Sequence, residues 1–221
     1  MIRLRFLPLQ PSTGHVGDRV DWIIPVGVVL AFVLVAAQTV TQLVDFGFFD
    51  LRIAAVDSNR HSSVFGALSL LANGAAAFTA ALSGAWHRSR AWAVGAVLIA
   101  AVLALRISDI GSGGAVRFVV LLPLVAGLLL VIWRIAIDAP ARVRAVIRVG
   151  LWLLVFSYAV HIVGPTVVTE LGYTHDSWAY QIKGVLKHGC ELGGWTLLAT
   201  AFRGTAPEAA SDRPSFAPLQ G

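Results

Sequence analysis

Four residues in one apolar stretch have the types and the spacing to do chemistry: Lys183, Lys187, His188 and Glu191. They lie in SWAYQIKGVLKHGCELGGWTLLATAF, Ser177 to Phe202, which is long enough to cross a bilayer as a helix. A charge at the centre of such a helix costs about 2.5–3.5 kcal/mol on insertion scales, so it needs a partner or a task. Lys183 and Lys187 are the only lysines of the chain, so a general preference for basic residues does not account for them. Steps of about 100° per residue set Lys183, Lys187 and Glu191 on one face, with Tyr180 and Gly194 in the same stripe and His188 at its edge. At about 1.5 Å rise per residue, Glu191 is roughly 18–20 Å from both Trp178 and Arg203, near the bilayer midplane.

Two readings of the stripe stay open. In one, Lys187 and Glu191 pair at i,i+4 and lock helix packing, while Lys183 snorkels to the outer interface. In the other, the stripe lines a water-accessible cavity with a midplane site for an ion, a proton or a headgroup. Two lysines against one glutamate leave a positive excess that requires a further anion.

Other polar residues are weaker candidates. His161 lies in the middle of the fifth apolar stretch, and Pro165 cannot donate the N–H that would reach its carbonyl, so an imidazole sits beside a freed backbone acceptor. Histidines 161 and 188 on different helices do not specify a haem, and no cofactor is indicated. Asp57 and His61 stand before the second apolar stretch, Asp109 after the third, and His175–Asp176 before the sixth. They could ligate a metal only by converging in threes, which their spacing does not dictate; solvated loop charges are the default, and no metal site is assigned. Asn73 reads as an interhelical hydrogen bond. The lone Cys190 excludes an internal disulfide, a CxxC pair and a cysteine zinc site. P-loop, GxSxG, HExxH and Rossmann fingerprints do not occur.

The elements that must position these groups follow from composition and periodicity. Hydrophobic residues make up 57%, charged residues 13%, and mean hydropathy is +0.77. A soluble domain shows roughly 45–50% apolar and about 25% charged residues. The fold class is therefore all-α, a polytopic membrane bundle of about six transmembrane helices. A net charge of +5 does not indicate nucleic acid, because the basic residues are spread singly along connections. That spread reads as a topology signal and as contact with membrane lipids.

Residues 1–20 form a polar lead-in with no cleavable signal peptide, so the first helix serves as the targeting signal. The transmembrane domain covers 21–203. Its helices are expected at about Asp21–Val44, His61–Trp86, Ala91–Leu105, Ala115–Ile137, Val149–Val168 and Ser177–Phe202. Between the first two, DFGFFDLRIAAVDSNR is amphipathic enough to lie on the surface, and DAPARVRAVIR reads as a basic connection into the fifth. Small residues in the second, among them Gly66, Gly74 and Ala75–Ala77, suit a helix inside the bundle. Residues 204–221, rich in Pro, Ala, Gly and Ser, are expected to be a disordered tail.

Six spans put both termini on one side. That side holds Arg3, Arg5, Arg19, Arg88, Arg90, Arg134, Arg142, Arg144, Arg148, Arg203 and Arg213; the other holds Arg52, Arg60, Arg106 and Arg117. The positive-inside rule makes the termini cytoplasmic and the location a plasma (inner) membrane.

Three pieces carry a resemblance: FDLRIAAVDSNRHSSVF (Phe49 to Phe65), ISDI (Ile107 to Ile110) and KHGCELGGW (Lys187 to Trp195). In this order the chain resembles a family of uncharacterised bacterial six-span integral membrane proteins. That family has an FDL-type segment before helix two, a Ser–x–Asp–Glu-like end to helix three and a Glu-containing motif in the last helix. Asp109 and Glu191 keep the pattern; Ile110, Lys187 and His188 stand where acidic residues are usual. The resemblance implies the six-span architecture and marks positions without supplying an activity.

Three functions remain in view: transport of an ion or small solute past helix six, an intramembrane enzyme acting on a lipid-borne substrate, and a non-catalytic subunit. The last would salt-bridge to a partner membrane protein or to a second copy. The lack of visible inverted repeats weighs modestly against a standard secondary transporter.

Overall fold

The structure is a computed structural model that describes residues 22–49, 63–108, 120–174 and 177–205. Among these residues there are six α-helices and no strand: α1 (Ile23–Val44), α2 (Val64–His87), α3 (Arg90–Ser108), α4 (Leu122–Asp138), α5 (Ala141–Glu170) and α6 (Trp178–Thr205). A π-helical turn, Asp45–Phe49, continues α1 into what the sequence suggested was loop. Four stretches are long and apolar enough to cross a membrane: Ile23–Gly47, Val64–His87, Arg90–Ser108 and Ala141–Gly164. The two other expected spans fall outside that set for physical reasons. At 17 residues α4 rises about 25 Å, short of a hydrocarbon core of about 30 Å. The sixth helix is long enough but carries Lys183, Lys187, Glu191 and Arg203.

Two boundaries differ from the sequence expectation. The basic segment read as a connection is the first two turns of α5, a helix of 30 residues. Arginines space out there instead of clustering, and the Arg144 guanidinium turns back to donate to the Ala139 carbonyl (3.0 and 3.2 Å), which stitches the α4–α5 corner. Likewise α3 runs on through Arg106 to Ser108, so Arg106 is helical instead of lying in a turn. Pro123 sits in the first turn of α4, where its missing N–H costs nothing.

Helix α6 is the centre of the molecule, packed by α1, α2 and α5. Residues Glu191 to Leu198 are buried without a break, a run only a helix enclosed on every side can show. Close approach to α5 is bought with glycine: a methyl group on Gly194 would lie 2.9 Å from the Leu154 side chain and 3.0 Å from the Gly150 carbonyl oxygen. On the α1 side, a methyl group on Gly27 would overlap the Thr200 side chain.

Contacts along α6 fix the direction of its neighbours. Gly27 meets Thr200 and Gln42 bonds Gln181 (3.1 Å), so α1 runs antiparallel to α6. Ser157 donates to the Lys187 carbonyl (2.7 Å) and Gly150 meets Gly194, so α5 does the same. Ser83 donates to the Phe202 carbonyl (3.0 Å), and His87 Nε2 lies 2.9 Å from the Thr205 carbonyl oxygen. The start of α1, the end of α2 and the end of α6 therefore share one end of the bundle, with Ile24 against Gly204. Large apolar side chains cover the outside, among them Phe32, Leu71, Phe78, Val97, Leu130 and Trp152. Such an outer face suits hydrocarbon.

Candidate functional site

The interior face of α3 changes character along its length. Trp92, Ala96, Ile99 and Val102 are buried and apolar, and one turn beyond Val102 stands Arg106. Its Nε lies 3.3 Å from Glu191 Oε1, with the two side chains only 13% and 6% exposed. Its Nη2 donates to Ser69 Oγ of α2 at 3.1 Å. His188 Nδ1 is 3.7 Å from the other Glu191 oxygen, one turn back on α6. The end of α3 suits a cation, because its last carbonyls carry partial negative charge. Three helices, α2, α3 and α6, thus meet at the Arg106–Glu191 pair.

The cation 3.3 Å from Glu191 Oε1 is thus Arg106, a second cation on this carboxylate besides Lys187. A guanidinium on a neighbouring helix can present its planar edge to the carboxylate, whereas an i,i+4 lysine must fold back along its own helix. Lys187 remains close enough to add to the field at Glu191, and its carbonyl is held by Ser157. Lys183 lies further out. Its stem crosses Gly164, and its ammonium stands 3.7 Å from the centroid of the Tyr180 ring.

Around the Arg106–Glu191 pair the interior is unusually polar. Tyr158 of α5 is within electrostatic reach of both charges, and its hydroxyl is buried with no hydrogen-bond partner. One turn below Ser69, Asn73 is wholly buried, and neither atom of its amide has a partner. This corrects the expectation of an interhelical hydrogen bond at Asn73: no neighbouring helix brings a donor or acceptor within bonding distance of its amide. One turn below Glu191, the Trp195 indole N–H is likewise enclosed and unpartnered, as is Nη1 of Arg106. On another side of α6, Gln38 faces Gly189 with its whole amide buried and unpartnered.

Further towards the shared end of the bundle the buried side chains are mostly apolar, with Ser83 the polar exception. Ala76 and Ala80 of α2, Ile99 of α3, Leu128 and Ile132 of α4, Ile147 of α5 and Leu198 and Phe202 of α6 are almost entirely buried. Phe202 and Trp92 close that end edge to face, ring centroids 5.1 Å apart. The interior thus stacks a polar layer of buried side chains, a chamber only in this sense, on an apolar plug.

Of the residues singled out from sequence, the structure brings His188 and Glu191 into direct contact and sets Lys187 beside them. His161 is partly buried on α5, four residues or about 6 Å along the axis from the Ser157–Lys187 contact. Asp57, His61, Asp109 and the His175–Asp176 pair lie outside the described residues, as do the 1–20 lead-in and most of the tail. No group of three metal-binding side chains occurs among the described residues. Sequence reasoning missed Arg106, Ser69, Tyr158 and Trp195. An arginine in the apolar run LALRIS carried a signal, but it was outweighed by the glycine-rich turn that follows it.

The described residues thus define a class: a helical bundle with four helices long and apolar enough to cross a membrane and with charge in its interior. Comparison with family models, with curated proteins and with solved structures finds no match.

Proposed function

We propose that this chain is a six-span protein of a bacterial plasma membrane, with both termini cytoplasmic, that takes an ion or small solute into the chamber around Arg106 and Glu191. One observation carries the reading: the most enclosed helix is the one that carries charge at its middle. A bundle needing only cohesion would fill that position with apolar side chains, since a buried ion pair rarely gains more than well-packed hydrocarbon of the same volume. On this topology the plug faces the cytoplasm and the chamber faces the outside. Exchange of solute then requires the plug between Trp92 and Phe202 to part.

Flux measurement tests this. The purified chain in proteoliposomes should support uptake of a small solute or proton movement, and Glu191→Gln should abolish it while the protein stays folded. Flux identical in wild type and variant would remove Glu191 from any pathway. A changed lipid profile in cells lacking the protein, with no flux, would point to the enzyme reading instead.

A further inference from the structure

The chamber's unpartnered groups are mostly donors, which bears on what it binds. Arg106 Nη1 and the Trp195 indole nitrogen can only donate, and the Tyr158 hydroxyl and the Asn73 amide nitrogen are free to donate as well. Against these four stand two unpartnered acceptors in the same region, the Asn73 amide oxygen and the oxygen of the Tyr158 hydroxyl itself. The donors come from four helices, and adjacent layers hold them. Ser69 and Asn73 are successive turns of α2, Glu191 and Trp195 successive turns of α6, and Arg106 reaches both α2 and α6 in the upper layer. Asn73 and Trp195 are wholly buried and Tyr158 is 8% exposed, so none of them can turn to bulk water for relief. Buried donors left unmatched cost free energy, and a ligand rich in acceptor oxygens would recover it.

We infer that the chamber recognises an anion, a carboxylate or a phosphate, by these donors. The inference rests on the proposed solute site and names the chemistry of its ligand. Glu191 repels an anion, but Arg106 and Lys187 set two cations against it, and the carboxylate takes Nε of Arg106 and leaves Nη1 for a second acceptor. Arginine suits this double duty because its fork offers several donors in one plane. The same oxygens could belong to a free anion or to the headgroup of an anionic lipid.

The test is a binding titration on the full chain. In zwitterionic detergent, thermal unfolding and calorimetric titration would be followed with inorganic phosphate and with succinate, at ionic strength matched with chloride. A second arm would compare nanodiscs of phosphatidylcholine with nanodiscs containing phosphatidylglycerol. An anion-dependent rise in the unfolding midpoint is expected in one arm, which identifies the source. Trp195→Phe keeps the ring in place and removes one donor to a charged ligand, so it should weaken binding about tenfold or more. Arg106→Gln should remove binding; if it does not fold, Trp195→Phe decides alone. No response to phosphate, succinate or phosphatidylglycerol overturns the inference, and so does an equal response in Trp195→Phe. Binding is read here without flux, so anion recognition can stand where transport fails, and Glu191-dependent flux can stand where anion binding fails.

Discussion

At the scale of single residues, the decisive feature is a carboxylate shared between Arg106 and His188 in an interior almost closed to solvent. Taking away one member of a buried pair leaves the other uncompensated. Glu191→Gln should therefore destabilise the protein by roughly 3–5 kcal/mol. Adding Arg106→Gln to that variant should recover much of the loss, and thermal unfolding in detergent of the two single variants and the double variant measures the coupling. Additive losses would mean that the two side chains do not depend on one another. The sequence made Glu191 legible, because a charge in an apolar run has few explanations. It left Arg106 obscure, because a pairing between distant helices depends on which faces meet, and periodicity within one helix does not carry that. Asn73 was misread for a related reason: its polarity was visible, but the lack of a partner is a property of the neighbours.

Among the elements, α6 is held by close backbone approach as well as by large buried side chains. Gly150 and Gly194 let α5 and α6 approach until a carbonyl oxygen of each lies against the other's α-carbon. Gly194→Ala has no flexible side chain to push aside on the Gly150 carbonyl side, so it should cost about 1–3 kcal/mol. Gly127 faces open space, and Gly127→Ala should leave the unfolding midpoint unchanged or slightly raised. At the plug, Phe202 is wholly buried against Trp92, and Phe202→Ala should cost about 3–5 kcal/mol. Helix centres were readable from hydropathy; ends were not where charge and helix overlap. The start of α5 shows why: Arg142, Arg144 and Arg148 lower the local hydropathy, yet arginine is a good helix former.

At the scale of the whole molecule, the orientation across the membrane is open to direct measurement. A background of Cys190→Ser removes the only native thiol. In it, Tyr173→Cys, in the exposed α5–α6 connection, should react with a membrane-impermeant maleimide in intact cells. Ala141→Cys at the opposite end should react only after permeabilisation. The reverse pattern would invert the proposed topology. The arginine asymmetry behind that topology was legible in the sequence because it needs no tertiary information.

The enclosed position of α6 also has a consequence for biogenesis. It leaves the ribosome after α1 to α5, and its charges make it a poor substrate for spontaneous partition into lipid. Three of its neighbours, α1, α2 and α5, belong to the apolar set and are synthesised before it. They can occupy the bilayer first and offer α6 a protein-lined berth in which Arg106 already waits for Glu191. Integration of α6 would then depend on earlier segments of the same chain. A glycosylation reporter behind α6 tests this: the helix fused alone to a neutral leader should fail to integrate, and the full chain should integrate it. In the full chain, Arg106→Leu should lower the integrated fraction, an effect reaching α6 from a helix translated well before it.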